Sequence, residues 1–116
     1  MEQIIGLLFF ARNVAHIKHL KTKSYAKHKA LGHFYDDVID LADKLAEAYQ
    51  GDKGLLGDIP LYAKLPDYAI DVFLEKQLKT IDELRKDATD RSAIQNIIDE
   101  VVELYLSTLY KLRNLS

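Results

Sequence analysis

The chain has 116 residues, 48% hydrophobic and 29% charged, with no Cys and no Trp. That length suits one domain with a single core, the balance excludes a disordered chain, and the absence of Cys excludes a disulfide framework and thiolate chemistry. The net charge of −2 conceals a division: residues 3–35 carry Arg12, Lys18, Lys21, Lys23, Lys27 and Lys29 and no acid, while residues 36–116 carry 17 acids against 10 bases.

The first helix is expected over about residues 3–21. Its first half is apolar nearly all round (Ile4, Ile5, Leu7, Leu8, Phe9, Phe10), the mark of a buried helix. The run Ile4–Ala11 is about a third of a membrane span. No basic residue precedes it and no small-residue cleavage site follows, so neither a spanning segment nor a signal peptide is expected, and the chain reads as a soluble cytoplasmic protein. The second helix should run over about 25–50, with Ser24 as its N-cap and Gly51 closing it. Its apolar positions, Leu31, Phe34, Val38, Leu41, Ala42, Leu45 and Tyr49, fall three and four apart.

The third helix is expected over 67–86, opened by Pro66, and the fourth over 91–113, capped by Asp90 or Ser92. No stretch alternates with period two. The fold class is therefore all-α, a four-helix bundle filling residues 1–116 as a single domain. The short links make two antiparallel hairpins. The connection at 52–66 can span roughly 50 Å, and the second helix is roughly 39 Å long. It can cross the whole bundle, making helices two and three parallel, or simply turn back, and length leaves both open.

His16, His28, Asp43 and Glu47 form the one constellation suited to a metal, because divalent cations take mixed imidazole and carboxylate sets. On a wheel of the second helix with His28 at zero, Asp43 lies near about 60° and Glu47 near about 100°, beside the apolar stripe rather than in it. Along the axis, however, Asp43 is roughly 22 Å and Glu47 roughly 28 Å from His28. A site is expected to close only between two copies. If two subunits pair antiparallel about a twofold axis, the imidazole end of one second helix meets the acidic end of the other, and two identical sites result. His19 and His33 read as boundary residues making one hydrogen bond each. The seven Tyr read as core packing with wet hydroxyl ends.

The spacing H-x11-H-x14-D-x3-E, within NVAHIKH and AKHKALGHFYDDVIDLADKLAEAYQG, resembles the ferroxidase signature of Dps, the ferritin-like DNA-binding protein of starved cells. The Asp43–Glu47 segment reproduces that family's D-x-x-A-E, and the likeness covers residues 9–51. It implies a ferritin-like bundle whose sites are shared across a twofold interface, two His from one subunit and the Asp and Glu from the other. It also implies iron, with Zn or Mn as substitutes, and oxidation of Fe(II) by oxygen or peroxide. Ile17 stands where the family has Trp, and Gly32 where it has an acid. The same stretch resembles small uncharacterised proteins of tailed phages, which would place the chain in a host cytoplasm.

Lys18, Lys21, Lys23, Lys27 and Lys29 surround the junction of the first two helices. The alternative function they suggest is non-enzymatic: a phage accessory protein that holds a partner protein or an anionic ligand such as a nucleotide, helped by the free N–H groups at the start of the second helix. Lysines supply point charge without a bidentate fork. Duplex DNA is not expected as a partner, given the overall charge and the lack of a basic tail.

Overall fold

The computed structural model describes all 116 residues as four helices and no strand. They are α1 (Glu2–Lys21), α2 (Tyr25–Lys53), α3 (Ile70–Ala88) and α4 (Ser92–Asn114). In cross-section α1 touches α2 and α3, and α4 touches α2 and α3, so α1/α4 and α2/α3 sit on the diagonals. No helix is long and apolar enough to cross a membrane.

Directions follow from side-chain partners. Arg91, at the start of α4, holds Asp52, at the end of α2, at 2.8 Å, and Lys44 reaches Glu100 at 2.9 Å, so α2 and α4 are antiparallel. Phe10 lies edge-on to Phe73, and the Gln77 amide donates to the Leu7 carbonyl at 3.0 Å, so α1 and α3 are antiparallel. Hence α2 and α3 are parallel. The connection, residues 54–69, runs the length of the bundle over the α1–α3 side, and the choice that length left open is settled in favour of crossing. Its path is fastened to α1 at three levels. The Gly57 N–H donates to Glu2 at 2.9 Å, Pro60 lies on Gly6, and the Tyr62 ring meets Phe10 at 5.5 Å. That bond from Gly57 is the chief reason the Glu2 carboxyl lies below its ordinary pKa.

Three helix ends differ from the sequence expectation. α2 continues through Gly51 to Lys53, because the residue in the left-handed region is Gly54 (φ 94°). The Gln50 side chain then accepts from Leu56 N–H and starts the crossover. α3 begins at Ile70, three residues late, since Tyr68 is still part of the crossover, with Lys76 lying 5.4 Å over its ring. Neither Asp90 nor Ser92 caps α4. Arg91 occupies the N-cap without a side-chain bond, and its N–H donates to the Thr89 hydroxyl.

The core is apolar: Ile4, Ile5, Leu8, Phe34, Leu45, Leu74, Ile81, Ile98 and their neighbours are fully enclosed. Its buried polar residues are Gln77, Thr89 and Thr108, and no Asp, Glu or His reaches the interior. One network crosses it, with the Tyr105 hydroxyl donating to Gln77 at 2.6 Å and Gln77 donating on to α1. Complete burial raises the Tyr105 phenol well above its usual range, so it stays a neutral donor. At the surface, Arg91 holds the Asp52 carboxyl below the usual carboxylate range.

The crossover contact yields a paired prediction. A Cβ at Gly6 would stand 2.6 Å from the Pro60 carbonyl oxygen, whereas one at Gly51 would meet nothing. Gly6→Ala should therefore destabilise the fold by about 1–3 kcal/mol in urea titration, as overpacked sites do. Gly51→Ala, inside a helix and in open space, should stabilise it by about 0.5–1 kcal/mol.

Candidate functional site

A tight turn joins α1 to α2. The Thr22 N–H closes α1 on the Lys18 carbonyl, the Thr22 hydroxyl accepts from Ser24 N–H, and the Ser24 hydroxyl accepts from Lys27 N–H as the α2 cap. This turn sets His19 and His28 face to face. The rings stack at 3.7 Å, and each donates through Nδ1 to the other residue's carbonyl, His19 to His28 at 2.6 Å and His28 to His19 at 2.9 Å. A carbonyl only accepts, so both Nδ1 atoms carry hydrogen, and whenever either ring is neutral its Nε2 holds the lone pair. Gly32 leaves room for this arrangement, since a Cβ there would approach His19 Cε1 to 3.1 Å.

One turn back, His16 stacks on Tyr35 at 4.2 Å and lies 6.2 Å from His19, while Arg12 lies 5.4 Å over the same Tyr35 ring. The His16 nitrogens bond to no protein group. Three imidazoles and a phenol thus line the α1–α2 seam near the turn.

Asp43 and Glu47 lie at the far end of α2, exposed, with no ion pair and no hydrogen bond to another side chain. The straight helix keeps Asp43 roughly 22 Å and Glu47 roughly 28 Å along its axis from His28. The structure therefore brings His16 and His28 to one end of the seam and leaves Asp43 and Glu47 one turn apart at the other. Within a single chain no three His, Asp or Glu side chains surround a common point.

Sequence reasoning missed the role of His19, whose side chain makes one hydrogen bond as expected but whose backbone carbonyl and stacked ring also orient His28. The available signal was a pair of His flanking a short turn, with a Gly four residues after the second. His33 stays exposed beside Tyr25 and Leu115, on the α2–α4 side. None of Lys18, Lys21, Lys23, Lys27 and Lys29 meets a carboxylate, whereas Lys44, Lys53, Arg85, Arg91 and Arg113 all do. The α1–α2 turn thus carries five lysines without an ion pair, while Asp71 and Glu75 of α3, at the same end of the bundle, are taken up by Arg113.

A small four-helix protein with one long crossover and a histidine-lined seam is the class that fold and site define. Within that class the chain belongs to the family of unknown function DUF5856, which matches residues 19–112. It is 33% identical over 113 residues to the uncharacterized 14.6 kDa protein in the mobD-ri intergenic region of Enterobacteria phage T4, covering 96% of this chain and 86% of that protein. No solved structure matches. The relative is a phage protein, as the second resemblance implied, and neither match is to a ferritin-like protein. The matched family segment includes His19, His28, Asp43 and Glu47 and begins after His16.

The ring geometry predicts a tautomer. Nitrogen-detected NMR should show hydrogen on Nδ1 of both His19 and His28, with the neutral rings in the Nδ1–H tautomer. A neutral ring protonated at Nε2 and bare at Nδ1 would contradict the reciprocal pairing.

Proposed function

We propose that two copies of the chain pair across the α1–α2 face and hold divalent metal between them. His16 and His28 of one copy supply nitrogen, and Asp43 and Glu47 of the other supply oxygen. Iron is the first candidate, with Zn or Mn as substitutes. The observation that carries the reading is the His28 ring, fixed through Nδ1 by a backbone carbonyl with Nε2 left to donate. Metal-ligating imidazoles are oriented in this way. Support comes from the two carboxylates, which are exposed and one turn apart with no cation of their own.

The space at Gly32 holds the His19 ring rather than a carboxylate, so each site has two carboxylates and suits one ion better than two. Ferroxidase activity, if the metal is iron, would be the oxidation of Fe(II) by oxygen or peroxide. The site would operate in the host cytoplasm, in keeping with the phage relative.

The uncompensated lysines favour a second, non-enzymatic reading, in which an anion such as a nucleotide, or an acidic partner protein, sits on the turn end. One set of titrations separates the two. Anaerobic Fe(II) and Zn(II) should bind near one ion per chain, on a species of twice the chain mass, and His28→Ala should reduce binding by more than the roughly tenfold that losing even an outer-shell partner of a ligand costs. Metal binding unchanged in His28→Ala overturns the site. ATP binding that weakens steeply with salt and is lost on replacing Lys23 and Lys27 by Gln, beside an absence of metal binding, establishes the second reading instead.

A further inference from the structure

The crossover does not hug α1 throughout. It is pinned at Gly57, Pro60 and Tyr62 and then stands away, leaving a hollow of about 390 Å³ between Val14 and Ile17 of α1 and Leu61, Tyr62 and Leu65 of the crossover. That volume lies within the range of small-ligand pockets, which are mainly apolar with a few polar groups fixing orientation. The walls fit this description. Seven of the ten lining residues are hydrophobic, and the polar ones, Arg12, Asn13 and His16, sit together on α1. Leu61 is 89% exposed and Leu65 and Ile17 are each 38% exposed, so these side chains lack a covering partner.

Arg12 says what that partner carries. Of the four Arg in the chain, Arg85 and Arg91 each hold one carboxylate and Arg113 holds two, while Arg12 holds none. Its guanidinium lies 5.4 Å from the Tyr35 ring centre, with Nη1 donating to Asn13 Oδ1 at 3.2 Å in an exposed bond. The remaining N–H groups are unpaired, and a planar fork of that kind matches a carboxylate through two parallel bonds. It forms no ion pair with any acid of this chain.

We infer that the hollow between α1 and the crossover is a binding site for a small amphipathic carboxylate, an acyl or aryl acid whose apolar body lies against Val14, Ile17, Leu61 and Leu65 and whose carboxylate meets Arg12. The site borders the proposed metal site, sharing His16 at its rim, but takes its anchor from Arg12 and needs no second subunit.

Decanoate and decanol, titrated calorimetrically below their micellar range, are the probes. Both should bind at one per chain, decanoate about tenfold more tightly, a difference of about 1.4 kcal/mol. Arg12→Gln should remove that preference while leaving decanol affinity and the melting temperature unchanged. Leu65→Asp, a crossover change on an exposed side chain, should abolish both. Equal affinity for the two probes in the native chain, or a preference that survives Arg12→Gln, overturns the assignment. So does a concentration-dependent dimer, seen by sedimentation, that Leu61→Lys dissociates, because a second copy would then occupy the hollow. The loss of decanoate preference in Arg12→Gln is read without metal, so its failure and the failure of metal binding in His28→Ala remain distinguishable.

Discussion

The close approach of Pro60 to Gly6 holds the crossover against α1, and the direction of α3 follows from it. Only a hydrogen at position 6 lets the Pro60 carbonyl come so near the helix. With the connection laid along the α1–α3 side, its last residues arrive at the turn end of the bundle, so α3 must start there and run parallel to α2. The Phe10–Phe73 edge contact and the Gln77 bridge from Tyr105 to Leu7 then lock α3 against α1 and α4 at mid-height. The core has a single buried polar network, headed by a phenol that stays neutral, and no carboxylate, so the interior is a packing device and the chemistry is left to the surface.

On that surface α2 sets the governing distance. It is one uninterrupted helix of 29 residues, and a straight helix cannot bring its two ends together. The imidazoles are collected at the turn by the His19–His28 stack, and the free carboxylates stand at the other end. A twofold partner running the opposite way superposes unlike ends, which is how isologous interfaces build sites that a single subunit lacks. The same arrangement would bring the positive turn end of each copy near the acids of the other, relieving the charge division between residues 3–35 and the remainder.

Much of the fold was legible because apolar spacing is a local property. The stripes of α2 and α4 and the nearly all-apolar start of α1 fixed helix number and hairpin pairing. The direction of α3 was not legible, since it depends on contacts such as Gly6 with Pro60, distant in sequence and carrying no periodic signal. The overrun of α2 past Gly51 has the same origin: two glycines three residues apart are both plausible terminators, and the contact of Gln50 with Leu56 selects the second. Of the candidate site, the separation of His28 from Asp43 and Glu47 could be computed from helical rise alone. The reciprocal His pair could not, because it requires the register across the turn, and Gly32 looked like a missing acid until the His19 ring was seen to fill its space.

The most direct test of shared sites is complementation between two defective chains. One carries His16→Ala and His28→Ala, the other Asp43→Asn and Glu47→Gln, and each alone should bind no Fe(II) or Zn(II). Mixed and re-equilibrated, half the dimers should contain both chains and each of these should regain one intact site, restoring about a quarter of the native capacity. Capacity that stays at zero in the mixture, or metal held by either variant alone, would contradict the account.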